Sequence, residues 1–300
     1  MTLGACEIFE VGPRDGLQNE AREIPLAEKV ALVDCLSRAG FSRIEVASFV
    51  SPARVPQMAG SAGVLSGITR AKGVRYAVLT PNMRGYENAV AAGVKTVAVV
   101  ASATETMNQK NINMSLAETF EVARSIIERG HSEGITVQAY LSVAFECPFE
   151  GAVEPALICK QAQQLAQWGA DEIVIADTIG AANPAQVQKL MTSLIAEHGS
   201  DLLACHFHDT RAMGLANVYA AIESGVRRFD SALGGLGGCP FAPGAKGNVA
   251  TEDVVMMCEQ MGFSTGVDMP ALLRAVELVS GMTGVQQGGR AHYWISNNAA

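Results

Sequence analysis

The chain has 300 residues, 49% of them hydrophobic and 17% charged, a balance that excludes disorder, collagen-like repeats and a long coiled coil. This length suffices to bury roughly 75% of the extended surface around a single core. Its 22 basic side chains against 30 acidic ones leave a net charge of -8, so no global positive field gathers nucleic acid or an anionic membrane, and any anion site is a local pocket.

The chain opens with MTLGACEIFEVGPRD, where Glu7 and Glu10 interrupt the apolar stretch that a signal peptide requires, and no run of 18 apolar residues follows. A cytoplasmic protein with no membrane and no nucleic-acid partner is the expectation. Seven cysteines, Cys6, Cys35, Cys147, Cys159, Cys205, Cys239 and Cys258, form no CxxC pair and read mostly as buried thiols.

Strand candidates fall at 6–11, 43–48, 75–80, 96–102, 135–142, 172–178, 202–209 and 227–233, each followed by sequence able to form a helix. Four segments, LSRAGFSRIEVAS, AVAAGVKTVAVV, LAQWGADEIVIAD and AIESGVRRFDSAL, repeat one design. In each, a helix ends at a glycine suited to a C′ cap (Gly40, Gly93, Gly169, Gly225) and a short Ile/Val-rich strand follows. A first helix begins near Pro25 with Val30, Val33 and Leu36 at helical spacing; a second opens at Ser115 with Glu118 completing a capping box; Thr251 is placed as the cap of a later one. Eight such alternations predict an α/β chain folded as a (β/α)8 TIM barrel with additional loop and helix elements at its C-terminal end. The rival is a doubly wound open sheet, disfavoured because no glycine fingerprint follows the first strand. One catalytic domain is expected over 1–283, with 284–300 a mobile tail.

Barrel chemistry collects at the C-terminal ends of strands. Arg14 and Asp15 end the first strand, Glu45 interrupts the second, Asp177 ends the sixth, and His206, His208 and Asp209 belong to the seventh. Residues i and i+2 of a strand face the same way, so both imidazoles of HFH can reach one point, with Phe207 turned away. With Asp15 they offer a mixed N,O set for Mg²⁺ or Mn²⁺, Zn²⁺ and Fe²⁺ remaining open, the alternative being a hydrogen-bonded polar patch inside the barrel mouth. Arg14 can hold an anionic oxygen beside that cation. Glu45 is either half of a structural ion pair or part of the chemistry, and Asp177 either chemistry or a group that orients Arg14 or a metal ligand. GGLGGCP at 234–240 is either a flexible loop that delivers the Cys239 thiol into a dry site or a tight turn. Asn248 follows a second flexible stretch; either its amide oxygen fills a metal position or it is an ordinary helix-flanking Asn. His131, His198 and His292 read as surface residues.

EVGPRDGLQNE at 10–20, IEVASFVSPARVPQM at 44–58, HFHDT at 206–210, GGLGGCPFAPGAKGN at 234–248 and VATEDVV at 249–255 together resemble the 3-hydroxy-3-methylglutaryl-CoA lyase family. The resemblance runs from about residue 5 to 275. The related isopropylmalate and homocitrate synthases share the Arg-Asp and His-X-His-Asp elements, but the GlnAsn after RDGL and the GGLGGCP loop favour the lyase branch.

The resemblance implies a (β/α)8 barrel that cleaves 3-hydroxy-3-methylglutaryl-CoA to acetyl-CoA and acetoacetate with Mg²⁺ or Mn²⁺ held by Asp15, His206, His208 and Asn248. It places Arg14 on the thioester oxygen as it becomes an enolate, with Arg14, Gln18 and Glu45 as substrate contacts. Glu45 and Asp177 organise the site, His206 and Asp15 belong to the catalytic set, and Cys239 is the lid thiol that protonates the acetyl-CoA carbanion. It also implies an acyl-CoA substrate and a homodimer. Arg54, Lys110 and Lys246 are weaker candidates for CoA contacts. Where the family often has HCHDTYGQ this chain has HFHDTRAM, so Arg211, Ala212 and Met213 reshape the loop after the seventh strand. That leaves open a longer or differently substituted 3-hydroxyacyl-CoA. A 2-oxoacid condensing enzyme and an idle barrel that binds metal or ligand without turnover are the other readings.

Overall fold

The structure, a computed structural model, describes residues 3–238 and 247–298. Eight strands, β1 (Glu7–Glu10), β2 (Arg43–Ser48), β3 (Arg75–Leu79), β4 (Thr96–Ser102), β5 (Thr136–Ser142), β6 (Glu172–Asp177), β7 (Leu203–Phe207) and β8 (Arg228–Ser231), close into one ring in chain order, every pair parallel. All eight lie inside the windows expected from sequence, and the closed ring excludes the open sheet. Parallel strands require crossovers, and helices supply them: α1 (Leu26–Leu36), α2 (Ser61–Gly67), α3 (Met83–Ala91), α4 (Glu105–Ile112), α5 (Leu116–Glu133), α6 (Pro155–Gln167), α7 (Pro184–His198) and α8 (Gly214–Ser224). The four glycines that punctuate the repeat all sit at positive φ, 79° to 111°, where a side chain would be strained.

The main core is the cylinder between strands and helices, where Ile44, Val97, Leu141, Ile173, Leu203 and Phe207 meet the buried faces of the helices, Leu32, Ile126, Leu165 and Leu190 among them. A second, small cluster of Ala98, Tyr140, Val174 and Ala204 fills the barrel lumen. At the base of the lumen Arg43 lies over the Phe9 ring, 3.2 Å from its centroid, and reaches Glu172 at 2.9 Å. The lumen is therefore plugged below and opens only above, at the C-terminal ends of the strands.

Two local features differ from the sequence reading. Thr251 is the first residue of α9 (Thr251–Gln260) and not its cap; its hydroxyl turns inward to donate to Glu10 Oε2 at 2.8 Å and pairs with Ser231 Oγ at 2.8 Å. His292 is buried, because α11 (Arg290–Asn298) folds back after α10 (Met269–Thr283) and docks on α9. Asp253 accepts from the backbone N–H groups of Arg290 and Ala291, and Glu252 from that of Gly289, so α9 carboxylates satisfy donors that open the last helix. Of the other two histidines, His131 is exposed and His198 half-buried. No helix among the described residues is long and apolar enough to cross a membrane.

Candidate active site

Beyond β1 the chain cannot continue straight, because it must clear the barrel rim within a few residues. Gly12–Gly16 forms one wide turn in which the N–H groups of Arg14, Asp15 and Gly16 all approach the Val11 carbonyl. Glycine is required at 12: a Cβ there would lie 2.2 Å from the Leu233 side chain and 2.6 Å from Glu10 Oε1. Glu10 fastens this turn, accepting from the N–H of Gly12 at 2.7 Å and of Leu233 at 3.0 Å. Burial pushes the Glu10 carboxyl up to about 8, against the pull of these donors. The turn thereby aims Arg14 and Asp15 across the mouth.

Arg14 is buried, with Nε and Nη2 each 2.7 Å from Glu45 Oε2 and Nη1 2.6 Å from Asp15 Oδ1. Burial opposes its charge, but Glu45 and Asp15 outweigh burial, so the guanidinium stays protonated. For Glu45 burial is the larger influence and raises its carboxyl despite Arg14. The β2–β3 register shifts between Glu45 and Ala47. That bulge lets Glu45 meet Arg14 while Ser48, three residues on, also lines the mouth, a pairing a regular strand of period two forbids.

β7 delivers His206 and His208 to the same face, while Phe207 packs outward with its ring 6.4 Å from that of Phe145. Ligand atoms of Asp15, His206 and His208 lie within 4.8 Å of one another, and His206 Nε2 is 3.9 Å from Asp15 Oδ2. Asn248, bridged to His208 through the backbone, donates Nδ2–H to Asp15 Oδ2 at 2.8 Å and to the Leu236 carbonyl at 3.0 Å; its buried Oδ1 has no hydrogen-bond partner among the described residues. Burial disfavours the Asp15 charge, yet Arg14, His206 and His208 hold its carboxyl well below the usual carboxylate range. Burial likewise opposes a charge on His206, but Asp230 and Asp15 raise it on balance.

Arg14, Asp15, His206 and His208 line the floor of a cavity of about 760 Å³, with Glu45 and Asn248 held against them outside it. Gln18, Asn19, Ser142 and Thr178 give it polar walls, and Val50, Val55, Leu79, Val100, Met107 and Met114 apolar ones. Arg54 stands at its rim and donates to the Ile112 carbonyl at 3.2 Å. Lys110 instead caps the Phe149 ring at 4.9 Å. Cys239 and Lys246 lie outside the described residues, although Asn19 Nδ2 reaches the Gly238 carbonyl at 2.9 Å, next to Cys239.

Asp177 is not brought to Arg14 or to the metal-ligating residues. Both its oxygens are spent on backbone N–H groups, Oδ1 on Ala181 at 2.9 Å and Oδ2 on Ala182 at 3.0 Å, so it shapes the loop after β6. Burial pushes its carboxyl up to about 6 despite those donors. Asp209 accepts from Gly214 N–H at 2.8 Å and starts α8. Arg211 turns to Glu146 at 3.0 Å and does not line the cavity. Sequence reasoning passed over Asp230 and Tyr140. Asp230 Oδ2 lies 3.1 Å from His206 Nδ1 and accepts from Tyr140 OH at 2.7 Å. Its signal was the one that singled out Glu45, a carboxylate inside an otherwise apolar strand.

Whether a divalent cation suits these residues can be judged from their donors. The Asp15 carboxylate and two imidazoles converge at one point, and Asn248, bonded to Asp15 through its amide nitrogen, carries a buried amide oxygen with no partner among the described residues. The set fits a divalent cation bound by mixed oxygen and nitrogen ligands.

Known proteins agree with this geometry. The 3-hydroxy-3-isohexenylglutaryl-CoA/hydroxy-methylglutaryl-CoA lyase of Pseudomonas aeruginosa is 45% identical over 284 residues, 95% of each chain. The mitochondrial hydroxymethylglutaryl-CoA lyase of Homo sapiens is 45% identical over 269 residues, 90% of this chain and 83% of that one. An HMG-CoA lyase from Acinetobacter baumannii, solved in complex with coenzyme A and 3-methylmalate, superposes with a TM-score of 0.93 at 39% identity, covering 98% of this chain and 95% of that one. The HMGL-like family pattern matches residues 5–279, and with the barrel, the Asp-His-His cluster and these relatives in agreement, the chain belongs to the HMGL-like family, among its hydroxymethylglutaryl-CoA lyases.

Proposed function

We propose that this chain is a divalent-cation-dependent carbon–carbon lyase that cleaves 3-hydroxy-3-methylglutaryl-CoA to acetyl-CoA and acetoacetate. The observation that carries the reading is the convergence of Asp15, His206 and His208 beside a buried, charged Arg14 at the floor of a cavity. Asp15, His206, His208 and Asn248 would hold the cation, which when bound supplies Lewis-acid polarisation of the substrate's C3 oxygen.

Arg14 has N–H groups beyond those given to Glu45 and Asp15, and it lines the cavity. As the C2–C3 bond breaks, negative charge moves onto the thioester oxygen, and a guanidinium already fixed by two carboxylates stabilises it without reorganising. Glu45 holds the Arg14 plane. Asp15, kept well below the usual carboxylate range, stays ionised and serves as a ligand, not as the base that removes the C3 hydroxyl proton. Gln18 stands on the wall for substrate contact, and Arg54 at the rim suits the anionic end of CoA. Cys239, the residue after Gly238 in sequence, is assigned the proton for the departing carbanion by family resemblance. The Acinetobacter relative, held with coenzyme A, supports an acyl-CoA as substrate.

A second reading concerns the C3 substituent. Leu79, Val100 and Met107 give the cavity an apolar wall for a hydrocarbon substituent, and the Pseudomonas relative is named for an isohexenyl substrate as well. Mass spectrometry of products formed with and without Mg²⁺ or Mn²⁺ tests both. Metal-dependent formation of acetyl-CoA and acetoacetate is expected. No turnover of the methyl substrate but cleavage of the isohexenyl one would replace the first reading with the second, and no turnover of either would remove both.

A further inference from the structure

Asp230 sits on β8 directly beside His206 on β7, the two being Cα partners in the parallel ladder. It is fully buried, and its Oδ2 has two neighbours: the phenol of Tyr140, which donates at 2.7 Å, and His206 Nδ1 at 3.1 Å. Its other oxygen lies 3.8 Å from the Arg43 guanidinium. A carboxylate can only accept at these sites, so the facing imidazole nitrogen must carry the hydrogen; the opposite tautomer would set lone pair against lone pair. The His206 ring, held edge to face against Tyr140 at 6.2 Å, has Nδ1 bonded to Asp230 and Nε2 turned to Asp15, and a neutral ring with its hydrogen on Nδ1 carries its lone pair on Nε2.

We propose that Asp230 is a positioning residue for cation binding: its carboxylate fixes His206 as the Nδ1–H tautomer and so presents the Nε2 lone pair to the ion held with Asp15 and His208. The backbone register of β7 and β8 sets the Asp230–His206 pair, and the Tyr140 hydroxyl keeps the carboxylate from rotating away. Such outer carboxylates raise the basicity of a ligating imidazole and are worth about 10–100-fold in metal affinity. This inference rests on the cation reading of the site and deepens it by a residue that touches neither ion nor substrate.

Two measurements on the full-length protein test it. Titration calorimetry with Mn²⁺ on wild type and on Asp230→Asn, an isosteric change, is expected to show affinity about 10–100-fold weaker in the variant. Turnover of the variant should then recover toward wild type as Mn²⁺ is raised, a response that a merely structural loss would not give. The second measurement is read on wild type and does not depend on Asp230→Asn folding. Long-range ¹H–¹⁵N correlation of histidine side chains in Mg²⁺-saturated wild type is expected to show the His206 hydrogen on Nδ1, the signal being identified by its loss in His206→Gln. A hydrogen on Nε2, or unchanged Mn²⁺ affinity in Asp230→Asn, overturns the proposal and leaves the cation reading standing. Failure of wild type to bind Mn²⁺ overturns both.

Discussion

The barrel contains two buried arginine–carboxylate clusters, one at each end of its lumen, and only one is a site. At the base, Arg43 is stacked on Phe9 and tied to Glu172, with Asp230 behind it, and none of these groups lines the cavity. At the mouth, Arg14 is held as tightly by Glu45 and Asp15, but it faces open space, and the Asp15 side chain keeps 18% exposure where that of Asp230 has 0%. The two clusters use the same chemistry of charge-assisted hydrogen bonds. What separates them is geometry: the base is closed by an aromatic ring, whereas the mouth is built on a turn whose carboxylate partner retains solvent access. A buried ion pair in a barrel is therefore no sign of catalysis until the space in front of it is known.

The comparison can be broken by removing each arginine in turn. Arg43→Met is expected to cost about 3 kcal/mol of stability in urea unfolding, since the buried Glu172 is left with the neutral Gln138 amide and a half-buried Arg228 at 3.9 Å in place of its close ion pair. Arg14→Gln is expected to lower kcat about 10²–10³-fold in acetyl-CoA release, the loss typical of one donor to a developing oxyanion. Should Arg43→Met reduce kcat at saturating Mn²⁺ as severely as Arg14→Gln does, the base would be part of the site and the distinction would fail.

The loops of the mouth sharpen the contrast through pH. Asp177 titrates near 6 in the folded chain against an ordinary value of 3.8. Folding therefore favours its neutral form: its contribution to stability is complete below about pH 4 and is lost as pH rises through about 6. Unfolding free energies measured from pH 4 to 7 should fall less steeply in Asp177→Asn than in wild type, and equal slopes would show that Asp177 carries no such strain. The smallest effect lies in the loop after β7, where Ala212 holds a left-handed φ of 57°. Ala212→Gly is expected to raise stability by about 1 kcal/mol in the same unfolding experiment; no gain would mean that unfolded-chain entropy cancels the relief.

Elements governed by local rules were legible in the sequence. Glycine at helix ends, Ile/Val runs and the Ser115–Glu118 capping box fixed eight alternations, and both partners of that box meet as expected. The metal-ligating residues were legible because strand parity puts His206 and His208 on one face. What could not be read was which residues meet across the lumen. Tyr140 and Asp230 are 90 residues apart, and Glu10 and Thr251 are 241 apart, so no local pattern announces them. Thr251 resembles a helix cap by type, but Glu10 claims its hydroxyl. Asp177 stood at a strand end as the chemistry requires, and the backbone of its own loop took both oxygens.

The wide turn and its Glu10 fastening also bear on the order of assembly. The barrel ring is completed by pairing the first strand with the last, and Glu10 Oε1 joins Gly12 to Leu233 at that seam. Asp15, placed by the turn, meets Asn248, 233 residues later. A ribosome delivers Arg14 and Asp15 long before Asn248, so the cation-binding residues stay apart until the last strand and the segment after it are made. Contacts of such separation form late. Uptake of Mn²⁺ during refolding would therefore mark the moment the ring shuts, making the site a reporter of its own scaffold's completion.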